Sequence, residues 1–189
     1  MSQPQASSTE ILLRQAYALA RGHLDTPLSI AVLHLGSLQS GLALGAGQEP
    51  HTVQTFDLGL ERLASTYFKT TPPTALAMER AIMVVEDVVM PLHALIPRPA
   101  QLLSCDGVLR ALALVSGATA AHDAGGTLVL SLEALERTFN RLTHVVEGRP
   151  AAHEGLPESN AFAAALLVLR ECMHHLQFER ITILAQPAP

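Results

Sequence analysis

The stretch Ser29–Gly45, SIAVLHLGSLQSGLALG, places an apolar run, a break of glycine and serine, and a second apolar run in succession. Such a break has two physical readings. Successive backbone N–H groups in a loop of this kind can converge on an anion, and glycine lets a phosphate come close to the backbone. The same residues also make the bend of a plain hairpin. Towards the other end of the chain, Glu171 and His175 have the i, i+4 spacing that presents two metal ligands on one helix face, with His174 beside them. The simpler reading there is the polar face of a helix whose other face is core. Cys105 and Cys172 lie too far apart for a CxxC knuckle and read as small buried hydrophobes. No G-x-S-x-G turn presents a serine nucleophile.

Composition narrows the partners. The net charge is −5, the only lysine is Lys69, the arginines are scattered, and there is no tryptophan. A concentrated basic face is lacking, so nucleic acid is not an expected ligand. The apolar runs are too short or too interrupted to span a bilayer, and the opening MSQPQASSTE lacks the basic-then-apolar pattern of a signal peptide. No membrane contact and a cytoplasmic, reduced setting are the expectations.

The elements that must position these residues follow from periodicity and punctuation. Residues 1–7 read as a frayed, disordered start, 8–185 as one domain, and 186–189 as a tail. A helix is predicted over Ser8–Gly22, capped by Ser8 or Thr9. Three strand-like runs, Leu28–Leu35, Gly41–Ala46 and Thr52–Phe56, have short connections that predict a meander. A short helix in LGLERLASTYF ends before Pro72–Pro73, and a long, mostly buried helix is predicted over Ala75–Leu95. Its narrower stripe carries Glu79, Met83, Glu86, Met90 and His93. If that stripe faces out, it makes a partly apolar contact surface. A fourth strand over Gln101–Cys105, helices over Val108–Ser116, Ser131–Val145 and Ser159–Gln177, a flexible HDAGGT loop and a last strand over Arg180–Leu184 complete the order. The prediction is an α/β fold of the ribonuclease-H-like or actin-like half-domain type. Its mixed sheet has five strands, a three-strand antiparallel meander plus two parallel strands, flanked by helices.

Within that order the landmarks resemble the exopolyphosphatase/guanosine pentaphosphate phosphatase (Ppx/GppA) family, specifically its second actin-like domain. HLGSLQSG stands where the family has an Asp-Ile-Gly-Gly-Gly-Ser-Thr-Glu loop, followed by LALGAGQEP. LGLERLASTYFKTTPPTALAMERA is similar to its Leu-Gly-X-X-Arg-Leu segment, Pro-Pro break and long helix. SCDGVLRALALVSG resembles a second glycine loop, and GLPESNAFAAALLVLRECMHHLQFERITIL its closing helix and strand. The resemblance implies hydrolysis of terminal phosphates, with a glutamate base, glycine-loop amides and hydroxyls on phosphate, and a divalent cation such as Mg²⁺. It also implies a large first domain before this segment, with the active site between the two. The chain shows no counterpart, which predicts a cleft reduced to one wall.

The departures fall on the chemistry. With Arg14 on the family's arginine, the two glutamate positions hold Ile11 and Leu12, which cannot serve as bases; Glu10 rescues a carboxylate only by a shift of register. His34 replaces the loop's acid, Gly36 alone survives of three glycines, and Ser37 and Leu38 follow it. A leucine there is expected to restrict the positive-φ conformations open to glycine. Ser40 is the one candidate phosphate hydroxyl, and Gly41 stands at the loop's glutamate. At the second loop Gly107 is kept, while Asp106 sets a negative charge where phosphate would approach. The expectation is a non-catalytic relative without cofactor that acts as an interaction or regulatory module, as a homodimer or with another protein. Two alternatives stay open: a phosphatase using Glu10, Ser40, Gly107 and Mg²⁺, and a phosphate- or nucleotide-binding sensor without hydrolysis.

Overall fold

Ser7 Oγ accepts the Glu10 N–H while the Glu10 carboxylate takes the Ser7 N–H, a reciprocal cap that starts helix α1 (Ser8–His23). Ser7, expected within a frayed start, is therefore the cap. The structure, a computed structural model, describes residues 7–24, 27–121 and 126–185. The expectations for residues 1–6, for most of HDAGGT and for 186–189 lie outside the described residues. Leu13, Tyr17 and Ala20, spaced by four and three, form the buried stripe of α1.

Strands β1 (Ser29–Leu35), β2 (Ser40–Gly45) and β3 (Thr52–Phe56) form the antiparallel meander. The β1–β2 hairpin sets Leu35 opposite Ser40 and His34 opposite Gly41. After α2 (Leu60–Tyr67) and α3 (Ala75–Val89), a 3₁₀ segment over Met90–Leu95 leads to β4 (Ala100–Ser104). Then come α4 (Gly107–Val115), β5 (Thr119–Ala120), β6 (Leu128–Ser131), α5 (Leu132–Val146), α6 (Asn160–His175) and β7 (Arg180–Ile183). Thr74, Ser131 and Ser159 cap α3, α5 and α6 through their hydroxyls.

The strands form one mixed sheet in the order β3-β2-β1-β4-β7-β6-β5. β4 runs parallel to β1 and β7 parallel to β4, as expected, but the sheet has seven strands rather than five. The added pair extends it: β6 lies antiparallel to β7, and β5 antiparallel to β6. These strands are two and four residues long and β6 runs directly into α5, so their alternation is too short to separate from a helix lead.

Alternation along β1 divides the core. Ala31, Leu33 and Leu35 face the layer built by α2 to α6, whereas Ile30 and Val32, with Leu103 and Cys105, meet Leu13, Tyr17 and Ala20 of α1. Each fully buried leucine of this kind contributes about 1.5–3 kcal/mol relative to exposure. The long helix of the sequence reading is shorter and one-sided. Met78, Ala81, Val85 and Val89 are buried, while Met83 and Met90 are exposed with Glu79 and His93.

Candidate functional site

β1 and β4 are parallel neighbours, so the residues at their carboxyl ends meet at one edge of the domain. The Asp106 carboxylate, just beyond β4, turns towards β1. Its Oδ1 lies 2.7 Å from His34 Nδ1, and its Oδ2 accepts the Leu35 N–H at 2.7 Å. The Asp106 N–H donates to Ser104 Oγ at 3.1 Å. The two contacts of the carboxylate are short and charge-assisted, and the His34 and Asp106 side chains are largely buried, at 20% and 13% exposure. The hydrogen bond to Asp106 holds the His34 pKa above the usual histidine value, against the opposing effect of burial. Because the carboxylate is committed to β1, it does not cap α4.

The turn after β1 is docked against the start of α2. The Gly36 carbonyl accepts the Leu60 N–H at 2.9 Å, and the Ser37 carbonyl accepts those of Glu61 at 3.0 Å and Arg62 at 3.3 Å. α2 begins at Gly59 with no side-chain cap, so the turn satisfies its first N–H groups. A Cβ on Gly59 would overlap the backbone of Ser37 and Leu38, and one on Gly36 would overlap the Gln39 carbonyl. Glycine is kept at both places for space. No residue from 36 to 41 has a positive φ, which corrects the expectation that backbone conformation bars Leu38. A trans peptide sets each C=O opposite to the following N–H, so the Ser37 and Leu38 N–H groups point away from α2.

The other expected site residues are placed as follows. Ser40 is fully buried and its hydroxyl donates to the Leu58 carbonyl at 2.5 Å. Gly41 lies beneath α1, where an added Cβ would stand 2.5 Å from Leu13 Cδ1. Gly107 starts α4, is exposed, and has open space around its α-carbon. The Glu10 carboxylate is used in the α1 cap, and Ile11 and Leu12 beside it are half-exposed aliphatic chains. The fold thus gathers His34, Gly36, Ser37, Asp106 and Gly107 at one end of the sheet, while Ser40 and Glu10 spend their polar groups locally.

These residues do not suit a Mg²⁺ ion. The carboxylate that β1 and β4 bring to the turn is that of Asp106, and both of its oxygens already accept from His34 and Leu35. Burial, with the Asp106 charge adding to it, pushes the Cys105 thiol up to about 11. Burial beside Glu171 pushes Cys172 up to about 12. Both therefore stay protonated and unreactive.

One participant, Gly59, escaped the sequence reading, and another, Glu171, was placed wrongly by it. Gly59, in LGLERL, is the helix start on which the turn rests; a helix opening without Ser, Thr, Asp or Asn was its available signal. Glu171 was read on a polar face, but its side chain is 1% exposed. α6 packs against both α3 and α5 and is buried on nearly every side.

No protein-family description and no curated protein matches the sequence. Solved structures do match the fold. The chain superposes on the Aquifex aeolicus Ppx/GppA phosphatase with a TM-score of 0.75 at 16% identity, over 93% of this chain and 59% of that one. It superposes on an exopolyphosphatase from Cytophaga hutchinsonii with a TM-score of 0.69 at 19% identity, over 94% and 59%. An exopolyphosphatase-like protein gives 0.65 at 15% identity, over 98% and 65%. The chain therefore spans about three-fifths of the length of these structures and has the actin-like fold of that part. No described helix is long and apolar enough to cross a membrane.

Proposed function

We propose that this chain is a Ppx/GppA-like domain whose glycine loop has become a structural clasp, and that it acts without catalysis as an interaction or regulatory module. The observation that carries the reading is the Asp106 carboxylate held by His34 and the Leu35 N–H at 2.7 Å each. The end of β1 does hold an anion, and the anion is the protein's own side chain. A bound phosphate would have to displace that carboxylate or sit beside it, in either case against its charge. The candidate base positions support the same reading, because Ile11 and Leu12 cannot orient or deprotonate water and Glu10 is engaged at the α1 cap. The outward stripe of Met83 and Met90 with Glu79 and His93 supplies an exposed, partly apolar face for contact with a second copy or another protein.

A second reading has its own support. The Ser37 and Leu38 N–H groups point away from α2, and α4 starts at the exposed Gly107 without a side-chain cap. Helix starts and successive amides favour anions, so a phosphate- or nucleotide-binding sensor fits those groups. One experiment separates the readings. The protein is incubated with polyphosphate or guanosine pentaphosphate and Mg²⁺ while phosphate release is measured, and its melting temperature is followed with each ligand and with inorganic phosphate. The module predicts no release and no ligand-dependent shift, the sensor a shift without release. Release that Glu10→Gln abolishes would overturn both.

A further inference from the structure

α3 leads into β4 and α6 into β7, so the carboxyl ends of these helices lie where the parallel strands begin, at the end of the sheet opposite the His34–Asp106 clasp. There, three potential ligands converge: Glu86 from α3, and Glu171 and His175 from α6. His175 Nε2 lies 3.2 Å from Glu171 Oε2 and 3.3 Å from Glu86 Oε1. The geometry from His175 Nε2 is that of a hydrogen bond towards Glu86 and not towards Glu171. Glu171 Oε2 is left fully buried, facing the ring without a hydrogen-bond donor.

The neighbours do not relieve that oxygen. Arg170 Nη1 binds the other oxygen of Glu171 at 2.5 Å, and Arg170 Nε binds both oxygens of Glu136 at 3.0 and 3.1 Å. One guanidinium thus faces two carboxylates, and Glu86 brings a third carboxylate to the His175 ring. A buried carboxylate oxygen without a donor is a substantial cost, which folded proteins meet with a partner or a cation. The spacing suits a cation. Ligand atoms at about 2.0–2.1 Å from a tetrahedral Zn²⁺ stand roughly 3.3–3.4 Å apart. That is close to the two distances from His175 Nε2, and all three ligand atoms lie within 4.8 Å of one another.

We propose that Glu86, Glu171 and His175 form a site for a divalent first-row transition ion of the Zn²⁺ type, fastening α3 to α6. Neutral imidazole and two carboxylates make a mixed nitrogen and oxygen donor set that such ions accept. Glu171 and His175 come from one helix face at i, i+4, and the Glu86 side chain, at 37% exposure, reaches the surface.

The test uses the full chain after chelator treatment, titrated with Zn²⁺ by calorimetry and with Co²⁺ by visible absorption, and melted with and without Zn²⁺. One equivalent of metal is expected, with a tetrahedral Co²⁺ spectrum and a melting temperature raised by about 5–10 °C at a hundredfold excess over Kd. His175→Ala and the conservative, half-exposed Glu86→Gln should each weaken binding by at least about tenfold and remove the thermal shift while circular dichroism stays native. No Zn²⁺ or Co²⁺ binding by the wild type would overturn the proposal. So would equal binding by the wild type and a folded Glu86→Gln or His175→Ala.

Discussion

Replacing Asp106 by alanine separates a structural clasp from a poised active site. The carboxylate makes two short hydrogen bonds, one to the largely buried His34 ring and one to the Leu35 N–H at the end of β1. A hydrogen bond to a charged group contributes about 1.5–3 kcal/mol net, and a backbone N–H left without an acceptor costs about 1–3 kcal/mol. The two effects overlap, so a loss of about 3 kcal/mol is expected at pH 6, measured by urea unfolding. For a chain of this size that corresponds to a melting temperature lower by about 6–12 °C. Asp106→Asn keeps an acceptor for Leu35 and should cost about half as much. His34→Ala should couple to Asp106→Ala in a double-mutant cycle, because the pair is one contact. Removal of a residue held under strain for catalysis is commonly neutral or stabilising. An Asp106→Ala protein within about 0.5 kcal/mol of wild type, or more stable than it, would refute the clasp.

The pH dependence follows from the same pair. The folded-state pKa of His34 is raised, so its contribution is complete below the ordinary histidine value of about 6.5 and fades as pH rises through the raised value. Unfolding free energies should fall over that window in wild type and lose this component in His34→Gln. Gly59→Ala drives a methyl group into the Ser37 and Leu38 backbone and should cost about 2–3 kcal/mol in urea unfolding, detaching the turn from α2. If the clasp substitutes for a bound anion, inorganic phosphate should raise the melting temperature of Asp106→Ala and leave wild type unchanged. Cys105 and Cys172 should resist a thiol reagent in the folded protein and react together on unfolding, which timed labelling in urea would show.

The meander, the parallel crossover strands and the positions of α5 and α6 were legible because each rests on local rules: alternation, short turns and helical spacing of apolar residues. β5 and β6 were not, because a two-residue strand and a four-residue strand that continues into a helix carry too little period. At the site, the substitutions at His34, Leu38 and Asp106 were visible in the sequence, but their consequence was not. Asp106 reads as a repelling charge in sequence and proves to be the acceptor that joins β1 to α4, a contact across 72 residues. The glycines invited a conformational argument, whereas the requirement at Gly36 and Gly59 is steric and depends on elements packed from elsewhere. Glu171 was misplaced for a similar reason. A helix in the middle of a layer buries its charged residues beside each other, and only tertiary structure shows Arg170, Glu136, Glu86 and His175 around it.

On the proposed reading the Asp106 carboxylate, held by His34 and the Leu35 N–H, occupies the end of β1 in place of a phosphate. The most direct measurement is an amide-resolved NMR titration with tripolyphosphate, with and without Mg²⁺, following Leu35, Ser37, Leu38 and Gly107. The clasp predicts that these amides stay in place up to millimolar ligand, with Leu35 keeping the downfield shift of a short bond to Asp106. Saturable shifts converging on Ser37, Leu38 and Gly107, with displacement of Leu35, would contradict it.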